Sequence, residues 1–416
     1  MIRPLKGGLK LEGKKEVTLT PWTIARFDPP RRVRIPLEGT SPLVTLGQRV
    51  RLGEKISCGR HASVSGQVSE IGESIEIVSD GRDERVPGLG EERSGWENLE
   101  PSQVFEILSE SGLIGTPSKS AGFNDSPCLN PALLEGVPIV VVLNGCESEP
   151  YLTSGHALMM SYPTEVLRGA DLLRNALGAG ELVVAVEDNK EEAAETLKSK
   201  LFFLSWSHVR VEVLPARYPQ DSETLLVECL SPQRCLTPLR GQMKVVVIGV
   251  AEAFAIYEAV ARQKPFYERA VTIGGECVTQ PKNAWVRIGT PAEEAVKYGK
   301  GFLREPGRIV LGGPMRGRAI ESLTEPLTKK DAGLLGIAKE VLNDGAVEPC
   351  IRCGLCVESC PVSISPALIS LASEKNLFEL AEAYGASSCI GCGNCSYVCP
   401  AKRPMLELVL RAGPRW

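Results

Sequence analysis

The chain has 416 residues, a formal net charge of −4 and 43% apolar residues. That length is too great for one core and predicts about two to four domains. No run of 18 apolar residues occurs, which argues against a membrane-spanning helix, and the mild acidity gives no reason to expect nucleic acid. Met1–Lys10 lacks the apolar stretch of a secretion signal, so a cytoplasmic location with reduced thiols is expected.

Residues 1–78 read as an all-β unit, with short strands at Arg32–Ile35, Gln67–Ile71 and Ser74–Val78 between glycine and proline turns. The turns around Gly47, Gly53 and Gly66 resemble those of barrel-sandwich modules related to biotinyl and lipoyl domains. The modifiable lysine of such carriers is missing from His61–Gly66, so an architectural role is expected. Residues 1–60 are basic and residues 69–110 acidic, a pattern that suits either docking or a solvated surface. Residues 79–100, charged and without periodicity, read as a linker.

Residues 101–250 alternate strands and helices. Val137–Leu143 is wholly apolar, as a strand buried on both faces should be. A helix from Pro163, a strand at Leu182–Val186, a helix at Lys190–Leu201 and a strand at Val209–Leu214 follow, with Lys244–Val250 as a further strand. This is the pattern of a parallel sheet covered by helices. Residues 251–345 hold two short strands, Arg269–Ile273 and Ala284–Ile288, and a helix at Glu293–Tyr298. They predict a small β-grasp segment of the soluble-ligand-binding type. Residues 346–416 form the last unit, with one helical stretch predicted over Pro366–Tyr384.

That last unit carries the strongest signal. Cys350, Cys353, Cys356 and Cys360 precede Pro361; Cys389, Cys392, Cys395 and Cys399 precede Pro400. Two complete runs of C-x2-C-x2-C-x3-C-P are the ligand pattern of a bacterial-type ferredoxin with two 4Fe–4S clusters. The fourth cysteine of each run serves the other cluster in that pattern. One set is therefore Cys350, Cys353, Cys356 and Cys399, and the other is Cys389, Cys392, Cys395 and Cys360. Zinc sites use separated pairs instead. The remaining Cys58, Cys128, Cys146, Cys229, Cys235 and Cys277 are scattered, as small buried hydrophobes are.

The chain resembles the C subunit of the Rnf electron-transport complex and its soluble relatives. The resemblance spans nearly all of it: Gly7-Gly8, Ser65–Val68, Leu143–Tyr151, Glu187–Lys190, Tyr218–Gln220, Glu268–Thr272, Arg287–Pro291, Gly312–Gly317 and the cysteine runs. It implies a barrel-sandwich module, a Rossmann-like domain akin to the flavin-bearing NADH subunit of complex I, a β-grasp segment and a double-cluster domain with helices. It also implies FMN and NADH at the Rossmann-like domain, with Asn144, Glu147 and Glu149 as candidates for the flavin and nicotinamide pocket. A flavin is needed there because nicotinamide gives a hydride and a cluster takes single electrons.

Three departures weaken that part of the resemblance. The glycine-rich loop is sparse over Gly112–Gly122, Gly155 stands where relatives have an aspartate, and Asp221-Ser222 replace glycines. The resulting expectation is an iron–sulfur subunit of a larger redox complex, with no catalytic residue of its own. It would relay single electrons to or from a flavoprotein, a reductase or Rnf-type membrane subunits, and any attachment to the inner membrane face would be peripheral. The competing reading is a flavin-dependent NADH-oxidising subunit that feeds the clusters.

Overall fold

The computed structural model describes residues 6–19, 21–114, 139–230, 244–342 and 345–413. Near the N-terminus, strands Arg32–Pro36, Ser74–Ser79, Gly66–Ile71 and Arg49–Val50 form an antiparallel sheet in that order. Alternation dictates which side is buried. Val33 lies opposite Ile77 and Ile35 opposite Ile75, and all four side chains enter the module's core. A second hairpin, Lys55–Ser57 with Arg60–His61, closes the sandwich over Ile56.

Part of the basic N-terminal stretch is paired with the acidic stretch that follows it. Arg34 reaches Glu76 at 2.8 Å and Arg51 reaches Glu84 at 2.9 Å, while Lys55 pairs with Glu110. The last two pairs are exposed and contribute about 0–1 kcal/mol each, whereas Glu76 is buried. They also leave less unbalanced charge for a partner than the sequence suggests. Residues 79–100 are a packed connection, not a loose linker: Leu89 packs on Leu52 and Tyr267, and the buried Trp96 meets Tyr257 edge-on at 5.5 Å.

The α/β domain is built on a wholly parallel sheet in the order Val209–Leu214, Glu181–Glu187, Ile139–Asn144, Lys244–Gly249. Its central strand is apolar on both faces because both are covered. Val141 and Leu143 pack under helices Pro163–Ala176 and Val250–Arg262; Val140 and Val142 pack under helix Glu223–Leu230. Each such side chain contributes about 1.5–3 kcal/mol when fully buried. The first two helices cross at Gly169, where an added Cβ would run into the carbonyl of Ala253.

The expected strand pair is present as Glu268–Gly274 against Lys282–Arg287, followed by helix Ala292–Tyr298. It belongs to a six-stranded mixed sheet that includes Gly333–Ile337, Arg308–Leu311 and Arg318–Ile320. Ile24–Ala25 adds a parallel edge strand to it. The residues before the barrel-sandwich strands thus run along the other domains.

The cluster domain differs from expectation in one element. Pro366–Tyr384 is not one helix but two, Pro366–Glu374 and Phe378–Ala383. The break falls at Asn376, whose φ of 57° is left-handed, a conformation asparagine tolerates better than most residues. Both pieces pack with helix Met405–Ala412 around Ile369, Ala381 and Val409, and Cys360 and Cys389 share that core. Among the described residues no helix is long and apolar enough to cross a membrane.

Candidate functional site

The two cysteine runs fold alike because their sequences repeat. In each, a glycine after the second cysteine takes a left-handed turn: Gly354 has φ 84° and Gly393 φ 78°. L side chains rarely adopt that backbone, and the turn starts a short helix carrying the third cysteine, Leu355–Glu358 or Asn394–Tyr397. The loop therefore wraps its three thiols around one region of space.

The fourth cysteine of the first run crosses over. Cys360, Cys389, Cys392 and Cys395 line one small cavity together with the aliphatic side chains of Ile364 and Val409. All four are buried. The amide of Gly391 donates to the Cys389 sulfur at 3.4 Å. Burial pushes the Cys392 thiol up to about 11 and the Cys395 thiol up to about 12. Coordination to iron would remove those protons outright. Four thiols around one space are what a cubane needs, since each of its irons takes one protein thiolate.

The first run is more open. Cys353 is exposed, and Cys350 and Cys356 are half-buried. Around them Val347, Ile351, Leu355 and Val357 expose apolar side chains. Cys399 is also half-buried and holds the place in its run that Cys360 holds in the first. Eight thiols in two sets, one buried and one near the surface, fit two 4Fe–4S clusters. Of the other cysteines, Cys146, Cys229 and Cys277 are buried and Cys58 is exposed; Cys128 and Cys235 lie outside the described residues.

The second candidate region is the crevice at the C-terminal ends of the parallel strands. The strand order reverses between Ile139–Asn144 and Lys244–Gly249, which is where a doubly wound sheet takes a ligand. The structure brings Asn144, Glu147 and Glu149 to this end of the sheet, but gives each of them partners within the chain. Asn144 donates to the Asp221 carbonyl at 2.9 Å and accepts from the Cys146 amide at 3.1 Å.

The Glu147 carboxylate accepts the Gly155 amide at 2.9 Å and the His156 amide at 3.4 Å, at the start of helix Ser154–Ser161. Lys190 approaches it at 3.3 Å, and Lys15 donates to its carbonyl. Burial alone would raise the Glu147 carboxyl, but Lys190 and Lys15 outweigh it and hold it low. A side chain on Gly155 would sit against this carboxylate, so an aspartate there would set two like charges together. His156 is buried with neither ring nitrogen partnered, and burial followed by Lys190 pushes it down to about 4.

The Glu149 carboxylate accepts from the amides of Met315 at 2.9 Å and Arg316 at 3.0 Å, and from the Arg316 guanidinium at 3.1 Å. Burial raises this carboxyl against the pull of Arg316. Arg316 also pairs with Asp221, which accepts from Ser148. On the neighbouring strand end, the Glu252 carboxylate folds against Gly249 in the first turn of helix Val250–Arg262, and burial raises its carboxyl. From Gly115 onward the sparse glycine loop lies outside the described residues.

Arg316, Glu252 and Lys15 were not among the residues singled out from the sequence. Arg316 had a signal, since it sits inside the Gly312–Gly317 stretch. Lys15 and Glu252 had none, because their roles depend on contacts far along the chain.

Comparison with known proteins agrees with this architecture. Residues 4–84 match the RnfC barrel sandwich hybrid domain, residues 109–258 the Nuo51 FMN-binding domain and residues 345–400 the 4Fe–4S dicluster domain. The chain is 35% identical over 406 residues to the C subunit of a proton-translocating ferredoxin:NAD(+) oxidoreductase complex from Clostridium ljungdahlii, covering 92% of this chain and 87% of that one. It is 32% identical over 389 residues to the C subunit of an ion-translocating oxidoreductase complex from Rhodobacter capsulatus, covering 87% and 73%. With the C subunit of a Na(+)-translocating ferredoxin:NAD(+) oxidoreductase complex from Acetobacterium woodii it shares 31% over 386 residues, covering 90% and 86%. A chain of an air-oxidized NAD+-reducing [NiFe]-hydrogenase shares the fold at a TM-score of 0.50 and 18% identity, over 76% of this chain and 64% of that one. A double-cluster domain joined to a barrel-sandwich module and a parallel α/β domain, with identity of this extent along the whole chain, makes the protein a member of the Rnf-type C-subunit family, an iron–sulfur electron-transfer subunit.

Proposed function

We propose that the chain exchanges single electrons between protein partners, and that NADH oxidation is not among its own activities. The observation that carries this reading is the neutralised crevice. A helix N-terminus or a free arginine would hold the phosphate of FMN or NADH. Here Glu252 occupies the first turn of helix Val250–Arg262, Glu147 takes the first amides of helix Ser154–Ser161, and Glu149 with Asp221 ties up Arg316. An entering phosphate would meet carboxylates at each place. These three places therefore offer little to a flavin phosphate.

The cysteines divide the labour. Cys360, Cys389, Cys392 and Cys395 would hold a buried inner cluster; Cys350, Cys353, Cys356 and, by the repeat of the motif, Cys399 would hold an outer one. A 4Fe–4S cubane supplies one-electron chemistry. The exposed Cys353 loop lets a partner approach the outer set, while the apolar wall of the inner cavity keeps water from the inner one. Because the relatives belong to ion-translocating oxidoreductase complexes, we place this chain in a comparable assembly, held at a membrane through partners.

The match to an FMN-binding domain model over residues 109–258 favours a second reading, a retained flavin. Iron, sulfide and acid-extracted FMN measured on one anaerobic preparation separate the two. About eight irons with FMN well below one per chain is expected. Stoichiometric FMN would favour the second reading, and four irons or tightly bound zinc would overturn the cluster assignment.

A further inference from the structure

The loop from Tyr218 to Ser222 joins the α/β sheet to the cluster domain. The Tyr218 backbone pairs with Leu9 in both directions, at 2.9 and 2.8 Å. The adjoining Gly8 amide donates to the Ser359 carbonyl at 3.1 Å. Gly7, at φ 64°, lies so close to the Cys360 carbonyl that an added Cβ would be 2.6 Å from it. On the other side of the loop, Leu225 and Cys229 pack on Val362 and Ile390. The residues flanking Cys360 and Cys389 are therefore docked against the α/β domain and the N-terminal segment.

Within the seam the Tyr218 side chain is 1% exposed, and its hydroxyl donates to the Cys392 carbonyl at 2.6 Å. The Arg316 guanidinium, fixed by Glu149 and Asp221, lies 5.7 Å from the Tyr218 ring centre. Neither the cysteine pattern nor the electron-carrier reading requires this bond. We propose that Tyr218 is a positioning residue that sets the reduction potential of the inner cluster through its hydrogen bond to the Cys392 carbonyl. This rests on the assignment of Cys392 to the inner cluster.

The physical basis is that reduction adds negative charge to a buried site. Hydrogen bonds around the ligands and exclusion of solvent set the potential of such a site. The phenol polarises the peptide that follows Cys392, and the neighbouring Asn394 amide donates to the Cys392 sulfur. In a buried network such donors reinforce one another. Removing the hydroxyl leaves a buried carbonyl without this partner and weakens support for the reduced state, so the potential should fall. A merely space-filling tyrosine would not have this effect, because phenylalanine preserves the ring.

The test is an anaerobic redox titration of the full chain followed by EPR. Cys392→Ser and Cys353→Ser first assign the inner and outer signals. In Tyr218→Phe, iron should stay near eight per chain. At a fixed potential the reduced-to-oxidised ratio of the inner cluster should fall by up to tenfold, ~59 mV for a one-electron couple, with the outer cluster unmoved. Unchanged potentials, an equal shift of both clusters, a shift of the outer one alone, an upward shift of the inner one or loss of iron would each overturn the proposal. If Cys392→Ser and Cys353→Ser perturb the same signal, the ligand assignment fails, and the claim for Tyr218 fails with it.

Discussion

At Cys360 a single position decides how two sequence repeats become one domain. It belongs to the first run by sequence and to the second by space, lining the cavity of Cys389, Cys392 and Cys395. Cys360→Ala should therefore abolish the EPR signal assigned to the inner cluster and remove up to about four irons, leaving the outer signal. Loss confined to the outer signal would contradict the crossing. Lys15 offers a test of a different kind. Burial, and then Lys190, push its amine down to about 8 from an ordinary 10.5. Below pH 8 Lys15 is charged whether the chain is folded or not, so the cost of burying the charge is borne in full. Between about pH 8 and 10.5 the folded state sheds the proton first, and stability should rise by on the order of 3 kcal/mol. Lys15→Met has no proton to lose, so anaerobic denaturation should show a flatter pH profile. Equal slopes for the two proteins would refute the assignment.

Elements were legible in the sequence where local pattern and tertiary demand agree. The apolar run ending at Leu143 announced a strand covered on both faces, and the alternation in Ser74–Val78 announced a half-buried one. The doubled cysteine spacing identified the cluster domain because ligand chemistry fixes spacing independently of packing. The break at Asn376 was not legible, since the residues on either side keep a helical apolar pattern. The fate of Asn144, Glu147 and Glu149 was not legible either: their partners, Asp221, Lys15, Lys190 and Arg316, are brought in by folding. Close approach is similarly hidden. Gly169 reads as a poor helix residue, yet it lets two helices cross against the Ala253 carbonyl. Gly169→Val should force those helices apart and cost about 1–3 kcal/mol, seen as a lower denaturation midpoint for the α/β domain. An unchanged midpoint would mean that the crossing accommodates a side chain.

The whole molecule combines a buried cysteine set docked against the α/β domain, a second set near the surface and a crevice whose polar groups are partnered within the chain. The residues that tie these together come from distant parts of the sequence, Gly7–Leu9, Tyr218–Asp221 and Arg316 among them. Electrons would enter and leave through proteins, so the isolated chain should be a poor NADH oxidase. The most direct measurement is anaerobic addition of NADH to the purified, cluster-loaded chain while its visible absorption is followed, with dithionite as the control that the clusters can be reduced. Dithionite should bleach the clusters and NADH should bleach them little or not at all, with NADH-dependent bleaching appearing only when a flavin-bearing partner is added. Rapid bleaching of the lone chain by NADH would contradict this and would establish a working flavin site in the crevice.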